Sequence, residues 1–206
     1  MTGAACVLLL GTLGAVAGTA RAPAQDERTI QTEFRVFDGT TEVSASTRLR
    51  VRRSGRDETG RTLEGPALTV DLEPGIYDVQ AIRHRHGQVQ AVRWAERLVI
   101  VHYPDEAGRH LEVINLAPGY GALQLRTPGL QRPDPEGLRI ERSTAGEPER
   151  SAAVTSGDGY LLVIGRAGVY DLRVAARGAP PQALSSIEIP ADRTRMRILE
   201  SVPPRP

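Results

Sequence analysis

Apolar and polar residues alternate along this chain in short runs, and one of those runs is echoed further on by another. Over residues 72–83, LEPGIYDVQAIR, the side chains of Tyr77, Val79 and Ala81 share one parity, and those of Asp78 and Gln80 the other. Over residues 164–177, IGRAGVYDLRVAAR, Tyr170, Leu172, Val174 and Ala176 oppose Asp171 and Arg173. Side chains point to alternate faces along a strand, so each run predicts a half-buried strand with its tyrosine turned inward. A small residue and a glycine precede each tyrosine, which predicts a tight turn that uses glycine's freedom at positive φ.

Similar alternation predicts further strands around Ile30, Phe34 and Val36, closed by the turn dipeptide Asp38-Gly39, and at Leu68, Val70 and Leu72. Residues 48–52, RLRVR, predict a strand with arginines on one face and Leu49 and Val51 in the core. Residues 89–100 supply one or two strands and residues 111–116 another, while residues 54–66 read as a polar loop. The pattern restarts at residues 117–122. Strands are then expected at Leu123 and Leu125, at Leu138 and Ile140, at residues 160–164, at residues 187–189 and at residues 196–199, with a polar loop before residue 160. No segment sustains a 3.6-residue period with caps, so helix content should be low.

The two halves align. Tyr170 follows Tyr77 by 93 positions, and the basic strand around Ile140 follows the one around Val51 by 89. A repeat of this length suits a seven-strand sandwich. The expected fold is all-β: two tandem Ig-like or prealbumin-like β-sandwich domains, residues 26–117 and 121–201, after an N-terminal signal peptide, residues 1–24.

The signal peptide rests on the apolar run at residues 7–17, VLLLGTLGAVA, and on Ala22-Pro23-Ala24, a peptidase-like A-x-A site. The run is shorter than the roughly 20 residues that a membrane span needs, so the mature chain should have no integral span. Cleavage would remove Cys6, leaving no cysteine for a disulfide, a thiolate nucleophile or a Cys-ligated zinc. It would also remove Arg21, making basic and acidic residues equal in number, without the global field that nucleic-acid binding relies on. Every basic residue is arginine, a bias matched by abundant Ala, Gly and Pro and attributable to coding composition.

The segments LEPGIYDVQAIRHRHGQ and RAGVYDLRVAARGAPPQ resemble the PG-x-Y-x-V/L segment, with a glycine about ten residues on, of carboxypeptidase-regulatory-like and PEGA-type domains. Residues 121–125, GALQL, with Pro128 soon after, are similar to a PEGA opening. Ala167 departs from the usual proline, and residues 103–110 form a polar insertion in the first copy. The resemblance implies small sandwiches of exported bacterial proteins and says little of activity.

Catalytic motifs are missing. There is no G-x-S-x-G elbow and no G-x-x-x-x-G-K phosphate loop, and the carboxylate pairs Asp105-Glu106 and Asp134 with Glu136 sit in loop-like stretches. His84-x-His86 would put two imidazoles on one strand face, short of the three or four ligands of a zinc site. The expectation is therefore a non-enzyme with no cofactor and no metal. Two clusters remain as partner contacts. Trp94 lies between Arg93 and Arg97, where a flat aromatic beside arginines can stack on a sugar or enter a protein interface; the alternative is a place in the core. Arg48, Arg50 and Arg52 form a ladder able to grip phosphates or carboxylates, or else a solvated face paired with Asp57, Glu58 and acids of neighbouring strands. The expected role is binding or scaffolding in the cell envelope, periplasmic or extracellular, with an envelope protein or polysaccharide partner; the alternative is an accessory module for a separately encoded envelope enzyme such as a peptidase.

Overall fold

The structure is a computed structural model that describes residues 29–56, 59–102, 109–126, 138–143, 153–157, 159–174 and 182–199. The signal-peptide segment, the Asp57-Glu58 pair and the carboxylates at 105, 106, 134 and 136 lie outside these residues. The fold is all-β, as expected, and the helix among the described residues is a single 3-10 turn at Ser44–Ser46.

The N-terminal half contains β1 (Ile30–Asp38), β2 (Thr41–Glu42), β3 (Thr47–Arg53), β4 (Arg61–Leu63), β5 (Leu68–Leu72), β6 (Gly75–Arg85), β7 (Gln88–Ile100) and β8 (Arg109–Asn115). In its first sheet β1 pairs antiparallel with β2 and β5 and in parallel with β8. Its second sheet runs β4-β3-β6-β7. The C-terminal half contains β9 (Tyr120–Arg126), β10 (Leu138–Ser143), β11 (Ala153–Gly157), β12 (Tyr160–Arg166), β13 (Gly168–Val174), β14 (Gln182–Ile189) and β15 (Thr194–Ile198). A third sheet runs β11-β12-β9-β15, with β15 parallel to β9, and a fourth runs β10-β13-β14. Strands β4 and β11 fall in the stretches read as polar loops. Each is short or polar and pairs at a sheet edge, where the apolar alternation of a half-buried strand is not required.

Period-two burial explains the cores. Between the first two sheets, Ile30, Phe34 and Val36 of β1 meet Leu49 and Val51 of β3 and Tyr77, Val79 and Ala81 of β6. Between the last two, Leu123 and Leu125 of β9 and Leu161 and Val163 of β12 meet Tyr170, Leu172 and Val174 of β13. The other parity of the middle sheets is buried as well. Phe37, Leu111, Val113, Ala122, Tyr160, Leu162 and Ile164 form a third cluster, in which the first and third sheets meet. Polar groups tie this junction. The Val113 amide donates to Thr194 Oγ1 at 2.9 Å, and Arg93 pairs with Asp192 at 2.5 Å. Buried Asn115 closes the connection: its amide donates to the Gly39 carbonyl at 2.7 Å, and its oxygen accepts from the Gly39 and Ala117 amides.

The two tyrosine strands share the irregularity that follows each tyrosine, while β10 shifts register against β13 between Ile140 and Arg142 where β3 runs unbroken along β6. Val51 pairs with Val79 and Ile140 with Leu172, the register that the sequence offset requires. The Tyr77 hydroxyl donates to the Glu73 carbonyl at 2.8 Å, and the Tyr170 hydroxyl to the Arg166 carbonyl at 2.6 Å. Just past each tyrosine the neighbouring strand carries an extra residue. Arg97 and Ser186 adopt positive φ there, and their amides donate to Asp78 at 3.0 Å and to Asp171 at 2.8 Å. The glycines before the tyrosines act differently from expectation. Neither Gly75 nor Gly168 has positive φ; each opens its strand, and a Cβ on Gly75 would press on the Arg53 guanidinium at 3.3 Å.

Truncating Tyr77 to Ala should cost about 3–5 kcal/mol, as for other buried aromatics. Tyr77→Phe should cost about 1 kcal/mol, because it leaves the Glu73 carbonyl unpaired. Urea denaturation of both variants checks the pair, and equal losses would assign the whole effect to the hydroxyl.

Candidate functional site

The outward face of the second sheet carries the candidate residues. Its rows follow from strand pairing: Arg48 lies beside Ile82 and Val92, Arg50 beside Gln80 and Trp94, and Arg52 beside Asp78. Cross-strand partners share a face, so the arginine ladder and the tryptophan, 42 residues apart in sequence, form one surface. The Arg52 guanidinium lies over the Trp94 ring, 4.9 Å from its centroid. Trp94 is 42% exposed and does not fill the core, which overturns that alternative. Its outward parity on an edge strand explains why: the inward positions of β7 beside it belong to Ala91 and Ala95, which pack on the first core.

The expected cluster of Trp94 with Arg93 and Arg97 is not formed. Arg93 has the opposite parity and turns toward Asp192 of the C-terminal half. Arg97 sits in the bulge, its backbone amide held by Asp78. The ladder is paired in part, as the solvated-face alternative expected. Arg48 is bridged to Glu64, Arg52 lies 3.7 Å from Asp78, and neighbouring Arg53 pairs with Glu73 at 2.8 Å. Arg50 is exposed. Sequence reasoning missed the apolar residues of this face. Ile76, Val92 and Val99 are 38%, 53% and 51% exposed. Ile76 and Ile82 share the parity of Asp78 and Gln80, and two isoleucines at outward positions were a readable signal.

His84 and His86 do not share a strand face. His86 and Gly87 form a two-residue hairpin turn, both at positive φ, that closes the Arg85–Gln88 pair. Among the described residues, no group of three or more His, Cys, Asp or Glu side chains is placed to hold a metal, and no helix is long and apolar enough to cross a membrane. His110, read as part of a polar insertion, is buried in β8 with Nε2 2.9 Å from Glu112 Oε1.

No family model and no curated protein matches the chain. Among solved structures it is similar to a candidate adhesin from Bacteroides ovatus ATCC 8483, at 11% identity and TM-score 0.32, covering 92% of this chain and 96% of that one. It is also similar to the tip fimbrial protein Mfa3 of Porphyromonas gingivalis with C-terminal truncation, at 8% identity and TM-score 0.33, covering 85% and 96%. At these scores neither likeness carries an argument about this chain.

Asp78 is held below its ordinary carboxylate value of 3.8, first by the Ser54 hydroxyl that donates to it at 2.5 Å, then by the Arg97 amide and the Arg52 charge. The native state thus binds this proton more weakly than the unfolded chain. Its contribution is complete at neutral pH and should be lost as pH falls below that ordinary value. Asp78→Asn should flatten the acid limb of the stability curve, measured by urea denaturation between pH 2 and 7. Trp94→Ala should cost no more than about 1 kcal/mol, since it removes an exposed ring and one cation–π contact. A loss near that of Tyr77→Ala would place the indole in the core.

Proposed function

We propose that the chain is an exported, non-catalytic binding or scaffolding protein of the bacterial cell envelope, built of two tandem β-sandwich domains over residues 26–117 and 121–201. In this reading, the outward face of the second sheet docks an acidic envelope polymer. The observation that carries it is the Arg52–Trp94 stack on a face that also exposes Arg50, Ile76, Val92 and Val99. Contiguous exposed apolar surface on a soluble sandwich marks an interaction site. Arginines beside an aromatic ring add a fixed positive charge that favours acidic groups on the partner, because a guanidinium keeps its proton at every physiological pH. Export is supported by the apolar run at residues 7–17 with its A-x-A site, and the domain type by the PG-x-Y resemblance.

The test is co-sedimentation of the chain from residue 25 onward with insoluble peptidoglycan. Wild type should pellet with the polymer, and Trp94→Ala and Arg52→Gln should each lower the bound fraction about tenfold at unchanged melting temperature. Equal retention of the variants would remove the face from the reading. Capture of a separate enzyme from envelope extract by the wild type, with no binding to polymer, would favour the accessory-module alternative.

A further inference from the structure

Strand β7 ends the second sheet with β6 on one side and, among the described residues, no strand on the other. Backbone groups left open in this way form an edge that natural sheets guard with charge, proline or a bulge. The guard on β7 is uneven. Its pairing slips at Gln90, where β6 steps from Arg83 to His84, and again at Glu96 and Arg97, beside Asp78. Between the two slips, Ala91, Val92, Arg93, Trp94 and Ala95 run unbroken against Arg83 to Val79. That stretch holds no proline, and its outward side chains, Val92 and Trp94, are apolar and exposed.

The fold does not demand this pattern, as the C-terminal half shows. There β14 is the corresponding edge strand, and the offset from Tyr77 to Tyr170 matches Val79 with Leu172, Gln80 with Arg173 and Ile76 with Val169. Through their partners, Leu184 stands in the place of Ala95, Ala183 in that of Trp94 and Glu188 in that of Val99. In the C-terminal half a buried leucine therefore closes the rim of the core, and the outward positions are small or charged. In the N-terminal half Ala91 and Ala95 leave that rim half-buried, and the outward positions are apolar. The apolar groups of β7 thus serve something other than the closure of their own sandwich.

We infer that β7 is a self-pairing edge, to which a second copy of this chain adds its own β7, antiparallel, about a two-fold axis through Arg93. The unbroken stretch reads Ala, Val, Arg, Trp, Ala, alike in kind from either end, with Arg93 at its centre. In such a pair Val92 of one copy opposes Trp94 of the other, and Ala91 opposes Ala95. Cross-strand pairs of an aromatic with a β-branched residue stabilise a sheet. The register is specified as well. An axis through Val92 would set Trp94 against Gln90, and one through Trp94 would set Val92 against Glu96. Arg93 meets its own copy at the axis, where like charges repel, but each guanidinium is paired within its chain to Asp192 at 2.5 Å. The pairing joins two four-stranded sheets into one, and it stands independently of the docking face proposed above.

Five residues a side fall short of the roughly 20–30 of a standard interface, so association should be weak and reversible. Sedimentation equilibrium of the chain from residue 25 onward, over about 1–500 µM, should show monomer passing to dimer. Emission from Trp94, the only tryptophan, should shift to shorter wavelength over the same range. Val92→Lys, at an exposed site, should weaken association at least about tenfold at unchanged melting temperature, because it sets a charge against the indole of the other copy. Cysteine variants read the register, since the chain from residue 25 onward holds no cysteine of its own. Arg93→Cys brings its two copies within the roughly 4.4–6.8 Å between Cα atoms that a disulfide spans, and should cross-link under mild oxidation. Gln90→Cys leaves its two copies about 20 Å apart along the strands, and should not. A monomer at every concentration, a dimer unaffected by Val92→Lys, or cross-linking of Gln90→Cys alone would overturn the pairing. If the chain stays monomeric while peptidoglycan retention still depends on Trp94, the pairing falls and the docking face stands; a dimer with this register and no retention gives the reverse.

Discussion

A phenol ring that enters a core must still place its hydroxyl. In this protein Tyr77 and Tyr170 each do so on the carbonyl four residues earlier. That bond ties each ring to the turn into β6 or β13, on the apolar parity of the strand that faces inward. The parity of β6 then sets the inner and outer faces of β3 and β7 through their pairing. The extra residue opposite each tyrosine belongs to the same device. Asp78 and Asp171 hold the amides of Arg97 and Ser186, and so stabilise a positive φ that neither residue favours alone. The same capped bulge thus occurs once in each half of the chain.

The middle of the molecule is constrained by burial on both sides. Strands β8, β9 and β12 are buried at nearly every position, because one parity packs within its own half and the other enters the third cluster. Such strands cannot carry much solvent-facing chemistry. In the N-terminal half, outward chemistry is thereby left to the second sheet, to its edges and to the open end of the sandwich. There the exposed valines, Trp94 and the arginines are found.

Charge works here at short range. The whole chain has a formal net charge of +1, too little to steer a polymer from a distance. At short range the second sheet carries matched arginines: Arg48 with Glu64, Arg52 with Asp78 and Arg53 with Glu73. Several of them also serve structure: Arg53 braces the turn before Tyr77, and Arg52 links Asp78 to Trp94. Binding and folding therefore draw on the same side chains.

The sequence by itself determined the strand-only class, the inward tyrosines, the core role of Leu49 and Val51, and the register of the repeat. All of these follow from period-two alternation and from the spacing of two segments with the same pattern, which are read from neighbouring residues. Tertiary structure decided the rest. Trp94 looks like core in composition, and only its parity on an edge strand exposes it. Arg93 and Trp94 are adjacent in sequence yet face opposite sides, while Arg52 and Trp94 meet across two strand pairings. Strands β4 and β11 are invisible as patterns, because edge strands need backbone partners more than apolar faces. The junction at Phe37, Leu111 and Tyr160 could not be read either: alternation shows that a face is apolar, but not what comes to cover it.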